Sequence, residues 1–324
     1  MANHALEARP GGSVPYHRLM VTPAFQWWKP VFGALVIIVG WFVATIVAVA
    51  PVQAAKPDAE GTVSWVTLLA TNLSLAALVP ICLVVYVRLH RLPSGLLVSV
   101  RPGLRWRPLG LFAGVAVVAE LLALGAAVVL PVQFLGELSG PASDAAALIA
   151  VTLLTSTLQA AGEEYLFRGY LLQMFGSMVR RPWFAVLMTS LLFTMAHAKL
   201  PWEAPALFAD RFAFGLVAGW LALRTGGLEA GIAMHAANNV VTFVFAALTD
   251  TVSDSLKPAG DAPLSIVLID VGKFVAFGLA ALWLARRQRL STEADPAVLE
   301  APGPAPAGLP PGTTPRAERG RRLA

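Results

Sequence analysis

The sequence has 324 residues, of which 57% are hydrophobic and only 13% are charged. This composition lies outside the range of water-soluble globular domains and indicates a chain that resides in a lipid bilayer. The formal net charge of +5 comes from basic residues spread over many short loops, so it does not indicate nucleic-acid binding. Cys82 is the single cysteine, which excludes internal disulfides and cysteine metal clusters.

Eight predominantly apolar runs, bounded by charge or proline, have about the 20 residues that a helix needs to cross a bilayer. In chain order they lie at about 31–50, 63–87, 109–130, 145 to beyond 168, 182–197, 206–223, 228–248 and 263–285. The fourth and fifth runs form a predicted hairpin around Arg180, Arg181 and Pro182. We therefore predict an all-α, polytopic membrane protein, a bundle of about eight transmembrane helices.

The basic residues mark one side of this bundle. Arginines cluster before the first run, between the second and third, and after the fourth, sixth and eighth. Since cytoplasmic loops carry the excess of Lys and Arg, both termini are expected in the cytoplasm of a multi-pass cell (inner) membrane protein. Residues 1–25 are a short N-terminal cytoplasmic segment, 26–290 the transmembrane domain, and 291–324 a Pro/Ala-rich tail that is predicted to be disordered.

Ionisable residues inside the predicted membrane helices are candidates for function, because a charge in a bilayer is costly. Glu164 and Arg168 stand four residues apart with the acid first, which favours an ion pair on one helical face. Glu163 is rotated by about 100° from that face and can point to a neighbouring helix. Glu163 and His197 are equally far from Arg180 in the sequence, one before it and one after it. The hairpin should therefore bring these two side chains to a similar depth.

The seventh run adds His235 and Asn239, which share one helical face because they are four residues apart. A carboxylate, two imidazoles and a carboxamide in one cavity have the groups needed to hydrolyse an amide. Glu163 and His197 can take a proton from water, and His235 and Asn239 can stabilise an oxyanion. Glu164 and Arg168 are expected to support the site structurally.

Three motifs, in order on three predicted helices, resemble those of the CAAX prenyl endopeptidase and bacteriocin-processing (CPBP, or Abi) protease family. EEYLFR at 163–168 is similar to the family's EExxxR, FTMAH at 193–197 to FxxxH, and HAANN at 235–239 to HxxxN. These motifs define a core at 160–245 of the transmembrane domain. The resemblance implies an eight-helix fold, water activation by Glu163 and His197, and an oxyanion hole of His235 and Asn239.

Other interpretations stay open from the sequence. No cofactor is expected, but Glu163, His197 and His235 form a possible zinc ligand set of one Glu and two His. A non-catalytic scaffold or immunity protein, or a proton-coupled transporter, is an alternative to the protease. The expected partners are a membrane-associated peptide or protein substrate and the lipid bilayer.

Three further polar residues on the predicted helices are interpreted as structural. Asn238 is expected to make a helix-packing hydrogen bond, and Asp270 and Lys273 are expected to neutralise each other at a spacing of three residues. Glu120 receives no predicted role.

Overall fold

The computed structural model describes residues 12–55, 63–129, 142–197, 200–252 and 263–300 of the chain. Most of these residues are helical. In chain order the elements are β1 (Val14–Pro15), α1 (Trp28–Ala55), α2 (Trp65–Ala76), α3 (Leu78–His90), α4 (Gly95–Val98), α5 (Trp106–Val129), α6 (Ala145–Glu164), a π-helical segment (Tyr165–Leu171), α7 (Leu172–Met178), α8 (Pro182–His197), α9 (Pro205–Thr225), α10 (Glu229–Leu248), α11 (Leu264–Arg287), β2 (Glu293–Ala294) and α12 (Pro296–Glu300).

Seven helical spans in the described ranges are long and apolar enough to cross a membrane. Two of them are composite, because α2 and α3 run together as Trp65–His90 and α6 to α7 as Ala145–Met178. The shorter apolar helix α8 has 16 residues. These would span about 24 Å, less than the roughly 30 Å of a hydrocarbon core. The prediction of an all-α, polytopic membrane bundle is confirmed.

Apolar side chains cover the outer surface of the bundle as well as its interior. On α1, for example, Val39, Phe42 and Ile46 are each more than half exposed. Large contiguous apolar surfaces are rare on soluble monomers, whereas lipid tails solvate them readily. The polar side chains described below point inward, as is usual for a membrane protein.

Helix α6 lies at the centre of the bundle, where it packs against α2 and α10, while α8 packs against α9. Two glycines permit these close approaches. A Cβ atom at Gly162 would collide with the backbone carbonyl of Leu75 on α2, and one at Gly215 would lie 2.9 Å from Ser190 Cα on α8. Small residues at such positions let membrane helices pack closely.

The C-terminal end of the described chain differs from the prediction. The predicted disordered tail begins at residue 291, yet β2 pairs in antiparallel register with β1, with Val14 opposite Ala294. Tyr16 is fully buried and donates a hydrogen bond to the Leu97 carbonyl over 2.6 Å. The terminal segments dock because a few apolar residues in them find burial, which average composition does not reveal. The rest of the predicted tail, 301–324, and residues 1–11 lie outside the described residues.

Candidate active site

The first motif lies where α6 changes into the π-helical segment. Glu163 and Glu164 end α6, and Arg168 lies within the wider turn that follows. The Leu172 amide bonds to the Phe167 carbonyl five residues earlier, which is the π-helical pattern. Such segments occur mostly as single wide turns inside α-helices and are frequent at functional sites.

Glu163 and His197 meet at one depth, as the spacing from Arg180 predicts. Glu163 is 3% exposed. Its Oε2 atom lies 2.8 Å from His197 Nε2 and 3.8 Å from His235 Nε2. Residues from α6, α8 and α10 therefore surround one carboxylate oxygen. The His197 side chain is 29% exposed, so it forms the more accessible part of this cluster.

The backbone fixes the proton arrangement of His197. Its Nδ1 atom lies 2.8 Å from the Phe193 carbonyl. A carbonyl only accepts, so Nδ1 must carry the proton. Nε2 of the neutral ring is then a lone pair facing Glu163 Oε2, and two acceptors in direct contact repel unless one proton lies between them. Glu163 and His197 therefore share one proton.

Glu164 and Arg168 form the ion pair that their spacing predicts. Arg168 Nη1 lies 2.7 Å from Glu164 Oε1, and both side chains are fully buried. The same Oε1 atom lies 3.0 Å from His235 Nδ1. A carboxylate only accepts, so His235 donates through Nδ1 and keeps Nε2 toward Glu163. Glu164 thereby sets the orientation of the imidazole of His235.

Aromatic rings pack around these groups. The Phe193 ring stacks on His197 with centroids 4.1 Å apart, and the Arg168 guanidinium carbon lies 4.3 Å from the Phe193 centroid. Phe214 meets the His235 ring edge to face at 5.0 Å. Phe193 is the first residue of the FTMAH motif and lies on the same helical face as His197, whereas Phe214 was not predicted from the sequence.

Asn239 reaches Glu163 through another side chain that the sequence analysis missed. Asn239 Nδ2 donates to Gln159 Oε1 over 2.8 Å, and Gln159 Nε2 donates to Glu163 Oε1. Gln159 lies four residues before Glu163, so its helical face could have identified it. The structure thus brings all four predicted catalytic residues together, while their catalytic roles stay predictions.

A second buried charge cluster adjoins Asn239. The predicted pair of Lys273 and Asp270 is present, with 2.9 Å between Nζ and Oδ1. Lys273 also contacts Glu120 Oε2 at 2.9 Å and donates to Asn238 Oδ1. Glu120, for which no role was predicted, is therefore a partner of Lys273. Asn238 makes the hydrogen bonds expected of a packing residue.

Glu163, His197 and His235 do not adopt zinc-ligand geometry. Two ligand atoms of a tetrahedral zinc lie about 3.3 Å apart, given metal bonds of about 2.0–2.2 Å. Here Glu163 Oε2 lies 2.8 Å from one histidine nitrogen and 3.8 Å from the other. Among the residues that the structure describes, no group of three or more His, Cys, Asp and Glu is arranged to hold a metal ion. A chelation experiment is the test of metal dependence.

Comparison with known proteins gives a family match and a match to a bacterial protein. Residues 145–241 match the family model described as "Type II CAAX prenyl endopeptidase Rce1-like". The chain is also 35% identical over 101 residues to "Uncharacterized protein YyaK" of Bacillus subtilis (strain 168), and this match covers 30% of the chain and 34% of that protein. The chain thus spans about a third of this relative. Glu163, His197, His235 and Asn239 all lie within the matched residues. The predicted resemblance to the CAAX prenyl endopeptidase family is therefore confirmed for residues 145–241.

Proposed function

We propose that this chain is an intramembrane endopeptidase that hydrolyses peptide bonds of membrane-associated peptides or proteins. The observation that carries the proposal is the contact between Glu163 Oε2 on α6 and His197 Nε2 on α8, which lie 2.8 Å apart. A carboxylate and an imidazole that share one proton, with the imidazole partly exposed, can exchange protons with water and with a leaving amine. No serine or cysteine nucleophile is required.

In the proposed reaction, Glu163 and His197 act as one acid–base unit. The pair takes a proton from a water molecule as the water oxygen attacks the peptide carbonyl carbon. It then gives a proton to the amide nitrogen as the C–N bond breaks. One acid–base unit of this kind contributes about 10²- to 10⁴-fold to a rate. Because Nδ1 of His197 donates to the Phe193 carbonyl and Nε2 faces Glu163, the reacting water enters between Nε2 and Glu163 Oε2 from the accessible side of His197, and one of these two atoms takes its proton.

His235 and Asn239 are the proposed donors to the oxyanion of the tetrahedral intermediate. Since Nδ1 of His235 donates to Glu164, donation from Nε2 requires the imidazolium form. Asn239 gives one amide hydrogen to Gln159 and keeps a second for the oxyanion. Loss of one such donor in known enzymes costs about 3 to 4 kcal/mol of transition-state stabilisation.

The substrate class follows from the position of the site among membrane spans. The helices around the site are apolar and face lipid, so a substrate reaches the site from the bilayer or its surface. We propose a CAAX-type or bacteriocin-related processing role. We also propose that both termini lie on the cytoplasmic side of the cell membrane. Arg286 and Arg287 at the end of α11 support this orientation under the positive-inside rule.

The test is cleavage of candidate membrane-anchored peptides by purified protein. We expect Glu163→Gln and His197→Ala to abolish cleavage, while Glu203→Gln, the same change at an exposed loop carboxylate, leaves the rate unchanged. A strong chelator should have no effect. Loss of activity with chelator and its return with zinc would replace the proposed mechanism with a metal-dependent one. A Glu163→Gln variant that still restores the phenotype of cells lacking the gene would favour a scaffold or immunity protein.

A further inference from the structure

Hydrogen bonds connect Glu163 to the ammonium group of Lys273, on a helix outside the three motifs. Lys273 Nζ donates to Asn238 Oδ1 over 3.0 Å, and Asn238 Nδ2 donates to Asn239 Oδ1 over 3.2 Å. Asn239 Nδ2 donates to Gln159 Oε1 over 2.8 Å, and Gln159 Nε2 donates to Glu163 Oε1. These four bonds, called here the amide relay, all point from the ammonium to the carboxylate.

The direction of the amide relay follows from its two ends. An ammonium has only donors, and a carboxylate has only acceptors. Lys273 therefore faces the oxygen of Asn238, which leaves the nitrogen of Asn238 to face the oxygen of Asn239. The same constraint passes through the amide of Asn239 to that of Gln159, whose nitrogen then faces Glu163. Three amides, each of which could exchange its oxygen and nitrogen positions by a flip, are thus held in one orientation.

The cationic end of the relay is itself held in place. Lys273 is 9% exposed and contacts Glu120 and Asp270 at 2.9 Å each. Glu120 lies on α5 and the two other residues on α11, so both helices fix the ammonium. The relay therefore begins at a cation with a defined position.

We propose that Lys273, Asn238 and Gln159 are positioning residues that set the orientation of the Asn239 amide and the Glu163 carboxylate. Their value for catalysis rests on the proposed peptidase function, because Asn239 and Glu163 are its oxyanion donor and proton acceptor. The orientation of the relay itself does not depend on that function. Among the contacts that the structure describes, neither Lys273 nor Gln159 reaches the imidazoles, so both act through the residues between.

Asn238→Asp tests the direction of the relay with almost no change in shape. Aspartate accepts from Lys273 but has no nitrogen to donate to Asn239. The Asn239 and Gln159 amides must then reverse, and the oxygen of Gln159 would face the Glu163 carboxylate. We expect this variant to lose about 5 °C in apparent Tm in detergent, as for a buried polar group that lacks its partner.

Glu163→Gln should rescue this loss, although residues 163 and 238 do not touch. A glutamine at 163 can donate to the reversed amide of Gln159, so the three bonds between positions 163, 159, 239 and 238 form in the opposite direction, while Lys273 still donates to residue 238. The Tm changes of Asn238→Asp and Glu163→Gln should therefore be strongly non-additive. Additive changes would overturn the proposal.

A third substitution separates the relay from simple charge repulsion between two acids. Gln159→Met keeps a similar volume but can neither accept from Asn239 nor donate to Glu163. In a Gln159→Met background the coupling between positions 163 and 238 should disappear. Coupling that persists there would indicate repulsion through space and would overturn the proposal.

Peptide cleavage provides a second readout. Asn238→Asp should lower kcat by about tenfold or more through misorientation, with KM unchanged, and Asn238→Ala should lower it less. A packing role alone gives the opposite order, because aspartate keeps the shape of asparagine. If the wild type cleaves no peptide, the proposed function fails. The Tm changes of Asn238→Asp, Glu163→Gln and the double variant still test whether the relay has the proposed direction. If cleavage depends on Glu163 but the Tm changes are additive, only the relay fails.

Discussion

Replacing Arg168 with methionine removes the cation of a fully buried ion pair. Both side chains are 0% exposed, so Arg168→Met leaves the Glu164 carboxylate without its charged partner. Breaking a buried pair from one side costs about 3 to 5 kcal/mol. At about 2 to 4 °C per kcal/mol, the apparent Tm should fall by about 6 to 20 °C. Thermal unfolding of the purified variant in detergent measures this directly.

The double variant Arg168→Met, Glu164→Gln separates stability from activity. It has no unpaired charge, so most of the lost Tm should return. Peptide cleavage should stay low, because the amide oxygen of glutamine accepts a weaker hydrogen bond from His235 Nδ1 than the Glu164 carboxylate does. A single variant as stable as wild type, or a double variant as unstable as the single one, would refute the reasoning.

Two further predictions concern packing and pH. Gly215→Val should destabilise the protein by about 1 to 3 kcal/mol, because its side chain would meet the α8 backbone. Gly110→Ala is the control, because a Cβ atom added at Gly110 meets no other atom within 4 Å. His17 lies outside the membrane spans, and burial lowers its pKa below the usual value. The unfolded chain therefore binds more protons as the pH falls through about 6.5, so stability falls there. His17→Gln should flatten this pH dependence of Tm.

Much of the architecture is predictable from the sequence, because hydrophobic run length decides where membrane helices lie. The predicted run 206–223 corresponds to Pro205–Thr225, and 228–248 to Glu229–Leu248. The common depth of Glu163 and His197 was also predictable, since equal distances from a turn give equal depth in antiparallel helices. This depth does not depend on how the helices rotate or tilt.

The parts that were not predicted depend on rotation and on contacts between distant segments. Whether Glu120 faces Lys273 depends on how α5 and α11 turn toward each other, which nearly uniform apolar runs do not specify. The docking of β2 on β1 depends on a few residues in segments of polar and small-residue composition. Gln159 is a different case, because its spacing from Glu163 placed it on the relevant face.

The central claim is that Glu163 and His197 act as one unit in peptide hydrolysis. Its most direct test is kcat for cleavage of one membrane-anchored peptide by Glu163→Gln, His197→Ala and the double variant. Residues that act together are strongly non-additive, so each single variant should lose about 10²- to 10⁴-fold and the double variant little more. Losses that multiply in the double variant, or a Glu163→Gln variant with wild-type kcat, would contradict the account.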